Sequence, residues 1–477
     1  MAEEYPQVSK WATFFLYPFS FPAQQKDTFC AALQKAADRW QPFEFLPQDY
    51  KEHFDELAYF FPSTRKFLTE QIAHFESRLQ DALLELYTSN DEAPKPTYND
   101  IAPKLVQVRL HLFPLGIGIL SLRIEGTTPL PFGRLLDFNA DFRYLTKAYK
   151  IQTLPQIALA TKLEHVPKDS PSQSGLLLIL DDFLREIGGV PPLQLLDNRL
   201  IVYSYAALKR DSPLQGYDLD ALFFKFLFVD KTSEPLPDAD FRCELLARHE
   251  YRRWSKYTAD SSPQSVRFGF SRYSGVVMGQ EGWFFDELVF QHFRTMYYDM
   301  ALILLFHRTA LLKLSYDLSR VDIESQDSLE RRARVRQLRA QVLEFTNRYW
   351  FGEITNQDQG IEMFDCWKNA LRTEDLFDEV QAELQEYDNQ LRNLNAEWLN
   401  LIVTGIAVLT LFALPLSLAA SFLAIPDSTR GFFERYVLYF YALIFSLAVL
   451  WIFGRSVLKL GKTLWASFRT SLPPQLR

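Results

Sequence analysis

The sequence predicts an α+β domain, then long stalk helices, then a two-helix transmembrane hairpin, in that order along 477 residues. Three observations predict it. Strand-like alternation and helical spacing are mixed up to about residue 280. An apolar seam with heptad spacing follows, and two adjacent uncharged spans occupy the last quarter. The boundaries read as an α/β sensor domain over 1–280, paired helices and a long stalk helix over 281–397, spans over 398–425 and 437–454, and a basic tail over 455–477.

In the first region, "KWATFFLYPF" (Lys10 to Phe19) is aromatic-rich and strand-like. Asp27 to Arg39 and Phe67 to Leu86 repeat apolar residues at helical spacing. Lys104 to Gly126 alternates through Val106, Val108, Leu110 and Leu112, turns at Pro114–Gly116 and returns through Ile119 to Ile124, as a hairpin does. "RLIVYSYAAL" (Arg199 to Leu208) and "DALFFKFLFVD" (Asp220 to Asp230) read as further strands. Breaks rich in Pro and Ser fall near Asp91–Tyr98, Pro167–Gln173 and Ser233–Asp238.

From about Trp283 the pattern is helical. One helix is expected over Phe285 to Leu318, a second over Ser328 to Trp350, and a third from about Ile361 after the polar turn "FGEITNQDQG". The stretch Thr295 to Leu318 is apolar, yet it carries Asp299, His307, Arg308 and Lys313. Charge at a bilayer centre is costly, so this is a core helix rather than a membrane pass. In the third helix Phe377, Val380, Leu384, Tyr387, Leu391, Leu394 and Trp398 step by alternating three and four, a seam that leads into the first span. No helix breaker lies between Arg372 and Pro415, so stalk and span are expected to form one rod that transmits movement from the soluble domain.

Trp398 to Ile425 contains no charged side chain and, as a helix, reaches roughly 40 Å against a hydrocarbon core of ~30 Å. The second span is shorter and is extended by aromatic flanks. Arg455, Lys459, Lys462, Arg469 and Arg477 follow it with no acid among them, whereas Arg430 and Arg435 in the loop are offset by Asp427 and Glu434. The positive-inside bias therefore puts both termini in the cytoplasm, at the cell's inner membrane. The acidic, proline-broken start "MAEEYPQVSKWATFFLYPFSFP" lacks the form of a secretory signal. Cys30, Cys243 and Cys366 are widely spaced, which points away from a disulfide framework and toward a reducing compartment.

Beside the seam, Glu379, Glu383, Glu386, Gln390, Asn393, Glu397, Asn400 and Thr404 share a helical face. For each acid singly, a solvated stalk face explains the pattern. Asn400 and Ser417 demand more, since polar groups at membrane depth face a partner helix or water. One hairpin cannot enclose a pore, so the reading requires several copies around an axis.

A long helix entering a span with "LPLSLAASFLAIP" (Leu414 to Pro426), a short loop, a second span and a basic tail resembles the CorA-type metal-ion transporter family. The resemblance is specific over about Gln390 to Lys462 and looser over the two preceding helices. It implies a homopentamer whose central pore is lined by the first span of each subunit. The pore-facing positions it implies are Asn400, Val403, Ile406, Thr410, Leu414, Ser417 and Ser421. Asn400 stands at the family's polar ring, and Val403, Ile406 and Leu414 at its apolar constriction, which can gate by dewetting. Mg²⁺ or another divalent cation is the permeant or regulatory ion implied.

The chain departs from the family at the mouth. Ala424, Ile425 and Pro426 replace glycine–methionine–asparagine, so no side-chain amide is offered there to a hydrated divalent cation. The helix before the stalk also carries Arg331, Arg332, Arg334, Arg336 and Arg339 where the family tends to be acidic. These are a solvated basic face, or a contact for anionic lipid, an acidic ligand or a neighbouring subunit.

No catalytic constellation is present. The seven histidines (His53, His74, His111, His165, His249, His292, His307) show no metal-ligand spacing, and the glycines at Gly116 and Gly188 read as turns rather than phosphate loops. An enzyme is not expected, nor is a nucleic-acid partner. The leading reading is a CorA-like oligomeric cation channel or transporter, with lipid and further copies of the chain as partners, gated by its soluble domain. The alternatives are a membrane effector of prokaryotic antiviral defence opened by a small nucleotide messenger, and a membrane-anchored scaffold without a pore.

Overall fold

The computed structural model describes residues 5–43, 57–78, 82–88, 100–143, 155–159, 187–195, 199–210, 218–253, 266–321 and 328–423, with isolated positions between and after them. It divides into two compact units, Met1–Leu384 and Gln385–Arg477. The fold is mixed α+β: a sheet-rich domain and long helices.

The first unit is built on a sheet whose central path runs β11 (Glu250–Tyr251), β12 (Arg267–Phe270), β13 (Ser274–Gln280), β10 (Ile201–Leu208), β1 (Gln7–Ser20), β6 (Ile117–Glu125), β5 (Lys104–Phe113), β3 (Ala73–Ser77) and β2 (Trp40–Pro42). Among the described residues, β4 (Ala82–Thr88), β7 (Leu130–Pro131), β8 (Pro155–Leu159) and β9 (Gln194–Leu195) pair off this path. Pairing along the path is antiparallel except between β10 and β13, which run parallel from Val202 opposite Ser274 to Leu208 opposite Gln280.

β1 is buried over most of its length because both of its faces are covered. Trp11 and Phe15 turn to Phe138 and Phe142 of helix α3 (Phe132–Phe142). Phe14 turns the other way, to Phe293 and Tyr298. A strand with apolar partners on both sides needs no alternation, which is why its sequence is an unbroken aromatic run. The β5–β6 hairpin has the expected turn, where Gly116 sits at φ +72° and a Cβ would come 2.1 Å from the Phe21 carbonyl oxygen. Only glycine fits both the backbone angle and the space.

Helix α1 (Lys26–Lys35) matches its expected position. Phe67 to Leu86 does not, since after the short helix α2 (Pro62–Lys66) and a single wide turn to Gln71, the chain enters β3 and then β4. Buried β3 pairs with β5, and that ladder overrides the local helical spacing. Asp220 to Asp230 is not a strand but helix α4 (Leu219–Phe228). Asp218 accepts a hydrogen bond from the Ala221 amide at its start, and Val229 closes it in the left-handed region at φ 57°. A continuous apolar run does not distinguish strand from buried helix, and the caps decide it.

Helix α5 (Ala239–His249) is mostly exposed. The helix expected over Phe285 to Leu318 is interrupted. A wide turn Phe284–Val289 and α6 (Phe290–Arg294) end at Thr295 (φ −120°, ψ −99°), and α7 (Met296–Ser319) starts anew. α7 packs on β1 and β6 and buries Asp299 and His307, as its charges required of a core helix.

His74 and His111, far apart in sequence and without motif spacing, meet in the sheet. Their Nδ1 atoms lie 2.6 Å apart, His74 Nε2 is 2.7 Å from the Leu68 carbonyl oxygen, and His111 Nε2 is 2.7 Å from the Tyr298 hydroxyl. A carbonyl only accepts, so neutral His74 donates from Nε2 and accepts at Nδ1. His111 then donates from Nδ1 and accepts the Tyr298 hydroxyl proton at Nε2. Each ring nitrogen has a partner, which suits a structural chain buried between strand and helix.

Candidate functional site

Three places are candidates for a functional site: the start of the long helix, the exposed face of that helix, and a cavity beside the helix Ser328–Arg348.

Helix α8 (Ser328–Arg348) lies close to its expected span. Helix α9 (Asp358–Leu371) then buries Gly360, Met363, Phe364, Trp367 and Leu371 on one face. The expected single third helix is in fact two, because Arg372 adopts φ 54°, ψ 40° and its amide closes α9 on the Asn369 and Lys368 carbonyls. α10 (Thr373–Leu423) begins at once and stays helical through Pro415. Arg308 of α7 donates to the Leu371 carbonyl at 2.9 Å, satisfying an acceptor that the helix end leaves open.

The first turns of α10 are held by aromatics. Trp350 stacks on Phe377 at 4.7 Å and 12°, and faces His307 at 5.0 Å. His307 Nε2 donates to the Tyr349 carbonyl at 2.6 Å, while its Nδ1 has no hydrogen-bond partner among the described residues. Burial pushes this imidazole down to about 4. The unfolded chain therefore takes up a proton that the native state refuses. The contribution of this group to stability is full above about pH 6.5 and is expected to fall as pH drops toward 4, by about 3 kcal/mol. His292, also pushed by burial to about 4, adds in the same direction. His307→Gln is expected to flatten the decline of the melting temperature between these limits, and an unchanged decline would refute the assignment to His307.

Of the stalk seam, Val380 is buried and Leu384 half-buried in the first unit, and Tyr387 is half-buried in the second. Trp398 is exposed, and the Leu391 and Leu394 side chains lie outside the described residues. Of the acidic stripe, Glu379 and Glu386 are exposed, while Glu383 is partly covered and burial raises its carboxyl above the usual range. The Glu397 side chain lies outside the described residues.

Of the positions expected to face a pore, Asn400, Val403, Ile406, Thr410 and Ser417 are exposed on α10, and Leu414 and Ser421 are helical with side chains outside the described residues. Thr404 and Thr410 donate back to the Asn400 and Ile406 carbonyls at 2.6 and 2.7 Å, so neither hydroxyl needs a partner from outside the helix. Among the described residues no helix is long and apolar enough to cross a membrane. Ala424, Ile425, Pro426, most of the second span and the basic tail lie outside the described residues.

The five arginines expected as a basic cluster fall on α8. Arg334, Arg336 and Arg339 are exposed on α8, and the Arg331 and Arg332 side chains lie outside the described residues. Of the three arginines with described side chains, Arg334 alone lines a cavity of about 340 Å³, together with Lys313 and Asp317 of α7 and Gln337 and Gln341 of α8. In the sequence Lys313 reads only as a charge that excludes a membrane pass. Nothing in the chain's spacing joins it to Arg334. Among the described residues no group of three or more His, Cys, Asp or Glu is placed to hold a metal ion.

No protein-family model matches the chain, and no curated protein sequence does. Solved structures similar to parts of it include two with low identity. The full-length CmaX protein is 14% identical, with 53% of this chain and 88% of that chain covered and a TM-score of 0.24. The CorA magnesium transporter from Methanocaldococcus jannaschii is 11% identical, with 55% and 92% covered and a TM-score of 0.24. A TM-score of 0.24 is too low for either overlay to decide the fold.

Proposed function

We propose that the chain is a CorA-like homo-oligomeric membrane channel or transporter for cations, gated by the domain that precedes its long helix. The observation that carries this reading is the apolar surface of α10. Leu399, Ile402, Val403, Ile406 and Leu409 are between 46% and 72% exposed, on a helix whose sequence from Trp398 to its end at Leu423 has no charge. Such a surface needs lipid or copies of itself. Asn400 and Ser417 on the same helix then favour a watery lumen shared by several copies over lipid, because a polar side chain facing hydrocarbon is costly. The exposed Glu379 and Glu386 would raise the local concentration of cations on the approach. The proposal carries with it a homopentamer, a place in the inner membrane and cytoplasmic termini.

The test is conductance of the purified full-length protein in planar bilayers, with subunit counting by native mass spectrometry. Cation current through a pentamer is expected. Ser417→Lys, which puts a positive charge in the lumen, is expected to remove most of it. A monomer or dimer that conducts no salt would sink the proposal in favour of a scaffold. Current that appears only with an added nucleotide would favour the messenger-gated effector.

A further inference from the structure

The cavity beside α8 is a second, separate feature. Its volume of about 340 Å³ falls at the lower end of small-molecule sites, which run roughly 300–1,000 Å³. The end of β1 forms one side, and α7 and α8 form the other. Arg334, Gln337 and Gln341 are three and four residues apart, so they line up on one face of α8.

The charges do not cancel. Lys313 Nζ donates to Asp317 Oδ2 at 2.7 Å, and the two side chains are only 15% and 19% exposed, so this pair is nearly neutral as a unit. Arg334 has no ion-pair partner among the described residues, and Gln337 and Gln341 have no hydrogen-bond partners among them. One surplus positive charge and the amides of Gln337 and Gln341, with those of Gln24 and Gln194 also in the lining, surround a space floored by buried Leu338. A guanidinium pairs best with a planar or tetrahedral oxyanion, through two parallel hydrogen bonds. The Asp317 carboxylate in the wall works against a doubly charged guest.

We infer that this cavity binds a small molecule through a singly charged oxyanion, a carboxylate or a phosphodiester, held by Arg334 with Lys313, Gln337 and Gln341. Such a guest would tie α8 to α7 and to the end of β1. Just past α8, Trp350 stacks on Phe377 of α10, so occupancy also stiffens the support of the long helix. That regulatory consequence rests on the channel reading, whereas binding does not.

Titration calorimetry on the full-length protein in detergent separates the two. The probes are benzoate for the carboxylate and cyclic AMP for the phosphodiester, with uncharged adenosine as control. Binding of at least one anion is expected, and which one binds identifies the source of the oxyanion. Adenosine should not bind. Arg334→Gln should weaken the bound anion at least tenfold, while Arg336→Gln, on the same helix but outside the cavity, should leave it unchanged. No heat from either anion, equal binding of adenosine, or equal losses in the two variants would overturn the inference. A melting curve of Arg334→Gln like that of the parent would show that the loss is not unfolding.

Discussion

Glu250→Ala is expected to destabilise the first unit by about 3–5 kcal/mol, the cost of leaving a buried guanidinium without its carboxylate. Arg267 Nε lies 2.6 Å from Glu250 Oε1 and its Nη2 3.0 Å from Oε2, a two-point contact in which both side chains are only 2% exposed. The guanidinium also lies 4.2 Å above the Phe223 ring of α4. After the substitution Arg267 keeps Asp220 at 2.8 Å, but that carboxylate is 51% exposed and screened by water. The Leu219 carbonyl at 3.3 Å is a weak remaining partner. Removing both charges together is expected to cost less than removing Glu250 alone, because Arg267→Met with Glu250→Leu fills the space without stranding a charge. Chemical unfolding of both variants decides it. A Glu250→Ala loss under about 1 kcal/mol would show that Asp220 and water suffice.

How much of this was legible follows from where the information lies. β1, β10 and the β5–β6 hairpin were readable because aromatic and branched residues, with turn residues at Pro114–Gly116, state a strand locally. α8 and the continuity of α10 were readable from helical spacing without a breaker. α4 was misread as a strand because its apolar residues cover the whole helix, so no period shows. The interruptions at Thr295 and Arg372 were missed for a different reason. Neither residue type forbids helix, and at the second break Arg308 reaches across from α7 to the Leu371 carbonyl at the end of α9, a contact no local spacing encodes. The cavity was illegible in principle, since its positive side joins Lys313 and Arg334 across a helix pair whose approach no local spacing encodes.

Trp367→Ala is expected to cost about 3–5 kcal/mol and to loosen α9 first. The indole is 1% exposed and stacks on Phe270 at 5.0 Å and on Tyr203 at 5.8 Å, so it anchors α9 to β12 and β10 at once. The sheet makes room for it with Gly275, where a Cβ would come 2.7 Å from the indole Cη2. Truncation leaves a void lined by rings and by strand backbone, neither of which collapses readily. Trp367→Phe should lose much less, because a ring still fills most of that space. Hydrogen exchange is expected to show faster exchange over Asp358–Leu371 in the alanine variant before the central strands follow. Since α10 starts directly after α9, freeing α9 removes one of the supports of the long helix while leaving the Trp350–Phe377 stack in place. Under the proposed channel function, the variant should then respond less steeply to whatever gates it, with the conductance of a single open pore unchanged. If exchange rises uniformly across the unit, Trp367 is an ordinary core residue and α9 is not a separately held element.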